Sequence, residues 1–461
     1  MSAPMHDWDA TATAMADEVI EYAVERLRTP KDPQWGAQPA GELAAALAHA
    51  ITPTGVGGHE ALRLFRDVLM PACRPMDDAL NLAYVPHAPS IASTLFDLVV
   101  SASAIMGANW ETGAGAIAAE NQALHWLADR AGFPAGAGGV FVSGGSAANL
   151  SALVTARSRF VRLHGRAARH TVAATSEVHA SVRAAANVMD VNVLTVATDD
   201  DGTMTGAALR RAIDAAPPDV VAGLFAVVAT GGTTNAGIID DLAGIADVCA
   251  DRDLWLHVDG AYGLAALCSD RARPLFHGIE RADSFGVDPH KWLFAPYDCA
   301  ALVYRDPAEA INTHAQHGAY LDAVDRDEWN PSDLAYHLSR RVRGLPLWFG
   351  LATYGTDAYA EAVDTAIDTV RAFADEVAAR PGFHLLTRPA LSIAVFAVDG
   401  WDADRYAAWS QRRAREGRFL VVPTRWRGEA CLRVCVVNPR TTLADLRNVL
   451  DDLADGFPLS P

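Results

Sequence analysis

Asp283-Ser284-Phe285-Gly286-Val287-Asp288-Pro289-His290-Lys291-Trp292 is the stretch on which the reading of this chain turns. Ser284 to Val287 is a short apolar run of the kind that forms a buried strand. It delivers Asp288, His290 and Lys291 to the strand's carboxyl end, where parallel sheets bind ligands. A lysine placed there is partly desolvated and suited to act as a Schiff-base amine. For most lysines a solvated surface charge is the better reading. Here lysine is scarce: Lys31 and Lys291 are the only two, and Arg supplies the other cationic side chains.

Similar runs lie on both sides of this stretch. Gly139 to Val142, Leu224 to Ala229, Leu254 to Val258 and Ala300 to Tyr304 are apolar and end near Gly, Thr, Asp or Ser. Helical stretches such as Asn121 to Ala131 alternate with them. The pattern predicts buried parallel strands joined by crossover helices, an α/β domain from about 91 to 348. Residues 1–90 read as helices and loops. From 349 onward a long helix, Ala358 to Arg380, precedes a meander of Leu391 to Val398, Phe419 to Pro423 and Cys431 to Val436, which predicts a smaller α+β domain.

The loops after the runs carry the polar residues. Val142-Ser143-Gly144-Gly145-Ser146-Ala147-Ala148-Asn149 joins a strand to a helix over Leu150 to Phe160. Glycines let a backbone approach an anion, and the helix N-terminus supplies free N–H groups. That suits one phosphate monoester; it is neither a G-x-G-x-x-G fingerprint nor a P-loop. A tight turn with a Ser cap is an equally good account of the motif alone. His257-Val258-Asp259-Gly260-Ala261-Tyr262 ends a run at Asp259, whose carboxylate can hold the protonated nitrogen of a pyridine ring. Taken singly, an Asp there is more often a cap or turn residue. His179 follows Thr171 to Thr175 and can stack on such a ring. Thr230-Gly231-Gly232-Thr233-Thr234 offers hydroxyls at another run's end.

Composition narrows the classes. Of 461 residues 51% are hydrophobic and 20% charged, the make-up of a soluble globular chain. The net charge of −18 disfavours nucleic acid and anionic membrane as partners. Met1 to Glu18 lacks the basic start and apolar run of a secretory leader, and no apolar stretch approaches the roughly 20 residues that span a bilayer. A cytoplasmic protein is expected. Cys73, Cys249, Cys268, Cys299, Cys431 and Cys435 form no C-x-x-C pair and read as free buried thiols rather than a metal or redox site.

Together these residues resemble a known family. Gly144-Gly145-Ser146 with Asn149, then His179, Thr233-Thr234, His257 to Tyr262 and Asp288 to Trp292, stand in the order and approximate spacing of the group II pyridoxal-phosphate-dependent amino-acid decarboxylases. That group includes the aromatic-L-amino-acid, histidine and glutamate decarboxylases. The likeness continues through Leu338 to Arg343, Leu432-Arg433 and Asn438-Pro439, and so covers nearly everything beyond about residue 80. It implies fold type I, the aspartate-aminotransferase-like architecture, with a mostly parallel sheet, and a homodimer with active sites at the interface. It implies pyridoxal 5′-phosphate bound as an aldimine to Lys291. Asp259 would pair with the ring nitrogen, His179 would stack on one ring face and Ala261 on the other. Gly145 and Ser146 would take the phosphate, with Thr234, Asp288 and His290 completing the contacts.

The resemblance also implies a tyrosine on a mobile loop that returns a proton after carbon dioxide leaves. The segment is about His317 to His337, with Tyr336 the first candidate and Tyr320 the second. Tyr84, His87 and Trp110 are expected at the substrate. The chain departs from the aromatic decarboxylases before Tyr84-Val85-Pro86-His87 and at Ala108, where those enzymes carry aromatics. The expected reaction converts an amino acid, with an aromatic one in view, to the amine and carbon dioxide. An aldehyde synthase or other carbon-carbon lyase would use the same residues. A non-catalytic cofactor-binding homologue is the reading from outside enzymology.

Overall fold

The protein, described here as a computed structural model, is described over residues 4–29, 35–318 and 328–455. Its large sheet has seven strands: β1 Gly138–Val142, β2 Thr171–Thr175, β3 Asn192–Val196, β4 Leu224–Thr230, β5 Trp255–Asp259, β6 Ser284–Val287 and β7 Ala300–Tyr304. Their order is β1-β7-β6-β5-β4-β2-β3. All neighbouring pairs from β6 to β3 are parallel, while β7 runs antiparallel to both β6 and β1.

That reversal corrects the expectation of a parallel strand at Ala300 to Tyr304. A parallel return needs a crossover of a dozen or more residues, usually a full helix. The twelve residues between β6 and β7, 288–299, are at the bottom of that range and hold a single helical turn, Pro289–Trp292, instead of a full helix. The chain therefore turns back, and Lys291 sits on that turn. Strand β3 also escaped the sequence reading. It lies at the sheet edge and is only partly buried, so its apolar pattern is weak.

A second sheet, ordered β10-β11-β9-β8, is built from β8 Phe383–Thr387, β9 Ile393–Val398, β10 Pro423–Trp426 and β11 Glu429–Cys435. Its pairs are all antiparallel. The strand expected at Phe419 to Pro423 begins instead at Pro423. Leu420 is occupied elsewhere: it bridges to Asn81, and Leu82 N–H donates to its carbonyl at 2.9 Å. Cys435 N–H donates to the Leu82 carbonyl. The end of the expected N-terminal segment is thus stitched to the small sheet, and this holds Tyr84 near the cleft.

One apolar cluster runs under both sheets, from Phe285, Val287 and Trp292 through Tyr262 and Leu391 to Phe396 and Val434. Long helices cover it, including Trp110–Arg130 and Thr356–Ala379. Among the described residues no helix is long and apolar enough to cross a membrane.

Candidate active site

Each strand that points at the cleft ends on, or leads directly into, polar or glycine residues. β5 ends at Asp259, β6 leads into Asp288, β2 into Ser176 to His179, and β1 into the Gly144-Gly145 turn. The turn bearing Lys291 is pinned by its neighbour. Trp292 is fully buried and stacks on Tyr262, rings 5.2 Å apart and 10° from parallel. Tyr262 in turn bonds Ser392, at 2.5 Å.

Lys291 Nζ lies 2.9 Å from Oδ2 of Asp288. Burial works to lower the lysine's pKa, but the Asp288 carboxylate, aided by Asp259, outweighs it and holds the pKa above its ordinary value. Without cofactor this lysine is an ammonium. Asp288 is itself buried, and its Oδ1 has no hydrogen-bond partner. His290 Nδ1 accepts the Cys299 N–H at 3.1 Å, so its proton is on Nε2, 3.5 Å from Asp288 Oδ2. Burial pushes the pKa of His290 down to about 4 and keeps it neutral.

The Gly144-Gly145 turn begins the helix Gly145–His164, which has no side-chain cap. A Cβ on Gly145 would lie 3.0 Å from the Ala261 methyl and 3.2 and 3.3 Å from the two Asp288 oxygens. Ala261 therefore closes on this turn. Asp259 accepts from Ala261 N–H at 3.2 Å and from Asn149 Nδ2 at 2.9 Å. Asn149 also donates to Ser181, which bonds His179 Nδ1 at 2.7 Å.

A cavity of about 590 Å³ holds Lys291, His179, Thr234 and Tyr84 together, with Glu177, Val422 and Arg433 also in its wall. Ser146 is exposed at the first turn of its helix. Two of the three substrate candidates lie elsewhere. His87 backs the site: its Nδ1–H donates to the His290 carbonyl at 2.6 Å and its ring packs on Tyr297. Trp110 starts its helix, and its N–H donates to Asn330. Neither lines this cavity within one chain. Tyr336 is half exposed, with its ring edge-on to His337, and is not in the cavity wall either. Tyr320 lies outside the described residues.

Sequence reasoning missed Arg433 as a site residue. Its guanidinium donates to the carbonyls of Tyr84, Thr234 and Asn235 at 2.6, 2.9 and 3.1 Å, tying three segments around the cavity. His257, Ser181 and Ser284 were missed too. The available signal was alternation: Trp255, His257 and Asp259 stand two apart on one strand and so share a face.

These residues fit pyridoxal phosphate. The Lys291 amine and the His179 imidazole share one cavity, with the Asp259 carboxylate linked to His179 through Asn149 and Ser181, beside a glycine turn where a methyl would press on Ala261 and Asp288, and a buried Asp288 oxygen with no hydrogen-bond partner. Among the described residues no cluster of three His, Cys, Asp or Glu is placed to hold a metal ion. All six cysteines are free, five of them buried, and Cys73 is exposed, contrary to expectation.

The family described as the pyridoxal-dependent decarboxylase conserved domain matches residues 59–399. An aromatic-L-amino-acid decarboxylase of Bacillus atrophaeus is 30% identical over 422 residues, covering 88% of this chain and 86% of that one. A histidine decarboxylase of Drosophila melanogaster is 31% identical over 83% of this chain, which spans only 48% of that longer protein. Among solved structures, Oryza sativa TDC with PLP and tryptamine superposes with a TM-score of 0.90 over 99% of each chain at 24% identity. Rhodiola rosea 4-hydroxyphenylacetaldehyde synthase gives 0.87 over 97% of this chain and 98% of that one, at 22% identity. Both share the fold, which is the fold type I architecture expected from the resemblance. On the family match and the extent of these likenesses, this chain belongs to the pyridoxal-dependent decarboxylase family: it is an amino-acid carboxy-lyase with pyridoxal 5′-phosphate as its cofactor.

Proposed function

We propose that the enzyme releases carbon dioxide from an L-amino acid with an aromatic side chain and gives the corresponding amine. The observation that carries the assignment of residues is that Lys291 and His179 share one cavity wall, while Asp259 is linked to His179 through Asn149 and Ser181 and Asp288 lies against the Gly145 turn. The substrate class rests on the aromatic-L-amino-acid decarboxylases among the relatives. The cavity also has room for a ring and has Val85, Val178, Val422 and Pro423 in its wall.

When bound, the cofactor supplies an electron sink for the electrons of the broken carbon-carbon bond. Lys291 would hold it covalently, and Asp288, 2.9 Å from Nζ, would stabilise the lysine's charged form whenever Nζ is free and protonated. Asp259 keeps a proton on the ring nitrogen, and His179 packs on the ring. Gly145 and Ser146 N–H groups take the phosphate, with Thr234, His290 and Ala261 as further contacts. A tyrosine, Tyr336 or Tyr320, returns the proton to the α-carbon. Tyr84 meets the substrate's side chain.

The protein acts as a homodimer. Ile91, Leu95, Leu98 and Val99 are exposed on the helix Ile91–Ala102, and a second copy would cover them. His87 and Trp110 then serve the assembled site rather than the cavity of one chain. Six unpaired thiols suit the reducing cytoplasm.

The test is a panel of L-amino acids with added pyridoxal phosphate, scored for amine and carbon dioxide. Equal yields of the two from an aromatic substrate support the reading. Aldehyde with ammonia and peroxide, or turnover confined to acidic amino acids, would overturn it.

A further inference from the structure

Five buried groups form an unbroken hydrogen-bonded chain that ends on the acid of the site. Trp255 Nε1 is 2.9 Å from Ser284 Oγ, and Ser284 Oγ is 2.8 Å from His257 Nδ1. His257 Nε2 is 2.9 Å from Asn149 Oδ1, and Asn149 Nδ2 is 2.9 Å from Asp259 Oδ2. Each of the five residues is at most 5% exposed, so no bulk water completes a missing bond. The backbone explains the arrangement. Trp255, His257 and Asp259 alternate onto one face of β5, Ser284 is the register partner of His257 on β6, and Asn149 comes from the helix Gly145–His164.

The two ends fix the direction of every proton. An indole N–H can only donate, and a carboxylate can only accept. The Ser, His and Asn between them can each point either way, but one arrangement alone satisfies all four links. Trp255 donates to Ser284, Ser284 to His257 Nδ1, His257 Nε2–H to Asn149, and Asn149 to Asp259. Turning the amide over would set its carbonyl against the carboxylate. It would also reverse His257 and strand the Ser284 hydroxyl proton in the core.

Asn149 has a second N–H, and it serves the other side of the site. It donates to Ser181 Oγ at 2.9 Å, which leaves the Ser181 hydroxyl proton for His179 Nδ1. That nitrogen also accepts the Ser181 backbone N–H at 3.2 Å. His179 therefore carries its proton on Nε2.

We propose that Asn149 is a positioning residue that sets the proton arrangement on both sides of the cofactor ring, and that Trp255, Ser284 and His257 form a lock holding its amide in the one orientation that does so. One buried amide thus aims Asp259 at the ring nitrogen and chooses the tautomer of His179. Burial supports the lock by lowering the pKa of His257 to about 4, which keeps the ring neutral and leaves Nδ1 free to accept the Ser284 hydroxyl. The proposal rests on the assignment of Lys291, Asp259 and His179 to the cofactor site.

The test compares His257→Phe, which removes both links, with His257→Gln, whose amide can donate to Asn149 and accept from Ser284. Three quantities are read without substrate: thermal stability, the dissociation constant of pyridoxal phosphate, and the pH midpoint of the bound cofactor's absorbance. In His257→Phe the midpoint shifts by about one pH unit and binding weakens about tenfold, the equivalent of one unit in free energy. His257→Gln stays near the wild type in both. A folded His257→Phe with an unchanged midpoint overturns the proposal, and so does a His257→Gln as impaired as His257→Phe. Where His257→Phe fails to fold, Ser284→Ala frees the imidazole to take either tautomer, and an unchanged midpoint there is equally fatal. Borohydride trapping of the wild type, read as cofactor mass on the Lys291 peptide, separates the two ideas. No label on Lys291 sinks the site assignment; a label with unmoved midpoints sinks only the lock.

Discussion

Lys291 Nζ and Asp288 Oδ2 are 2.9 Å apart, and the carboxylate keeps the lysine charged in spite of its burial. An ammonium cannot attack an aldehyde, so this pair controls how readily the empty protein takes up its cofactor. Asp288→Asn removes the largest influence raising the lysine's pKa. The free amine then persists to lower pH, and the pH profile of cofactor attachment moves down by about one unit or more. Absorbance-monitored reconstitution from pH 6 to 10 checks this. An unmoved profile would mean that Asp288 does not set the lysine's charge.

Gly145→Ala tests the cradle. The added methyl would sit 3.0 Å from that of Ala261 and 3.2 and 3.3 Å from the Asp288 oxygens. Alanine favours a helix over glycine by about 1 kcal/mol, which offsets part of the crowding in the empty protein. Thermal stability should therefore change little, while pyridoxal phosphate binds about tenfold more weakly, a loss of about 1.4 kcal/mol. Equal affinity in the two proteins would remove Gly145 from the phosphate site.

The cleft was legible because buried strands end abruptly on polar residues. β6 and β7 were read to the residue from apolar runs with sharp polar ends. The direction of β7 was not legible, because it depends on how little helix fits between Val287 and Ala300. His179 and Asp259 were read as site candidates from their place at run ends, and the structure puts them just after β2 and at the end of β5. Arg433 was not, because its partners are backbone carbonyls, which leave no mark in a sequence. His257 was hidden differently. In a hydrophobic strand a lone His reads as filler until Ser284 and Asn149 are seen beside it.

Arg433→Lys should loosen the wall of the cavity. A lysine presents one point charge where the guanidinium reaches three carbonyls on two segments, Tyr84 and Thr234-Asn235. Losing bonds from a charged donor costs about 1.5–3 kcal/mol each, so unfolding in urea should show a drop of at least that size. KM should rise as well, since Tyr84 and Thr234 both line the cavity. A variant with wild-type KM would confine Arg433 to stability.

Glu120 and Arg340 form a buried pair bonded twice at 2.8 Å, with Gly344 N–H donating to the same glutamate. Removing either charge alone strands the other, at a cost of about 3–5 kcal/mol. Glu120→Gln and Arg340→Met should each be destabilised on that scale. The double variant Glu120→Leu with Arg340→Met should be more stable than either, because it leaves no unpaired charge. A double variant as weak as the sum of the singles would contradict this.

The proton that returns to the α-carbon separates amine from aldehyde as product. Tyr336 is held on an anchored segment: Ala335 is buried in the core, and the Leu334 carbonyl accepts the Tyr304 hydroxyl at 3.1 Å. Its own ring leans on His337, and the Lys291 cavity is walled by other residues. A donor must reach the reacting carbon to within about 3 Å, and within one chain this ring does not line that space. The expected outcome is therefore that Tyr336→Phe retains most amine formation, while Tyr320→Phe loses it and diverts part of the flux to aldehyde with uptake of oxygen. An oxygen electrode with amine quantification reads both. Diversion in Tyr336→Phe alone would instead mean that the ring enters the cleft of a second copy, which mixed dimers would show. Tyr336→Phe and Lys291→Ala subunits, each impaired in amine formation alone, would then regain it on mixing, because one of the two clefts would hold both an intact lysine and an intact tyrosine.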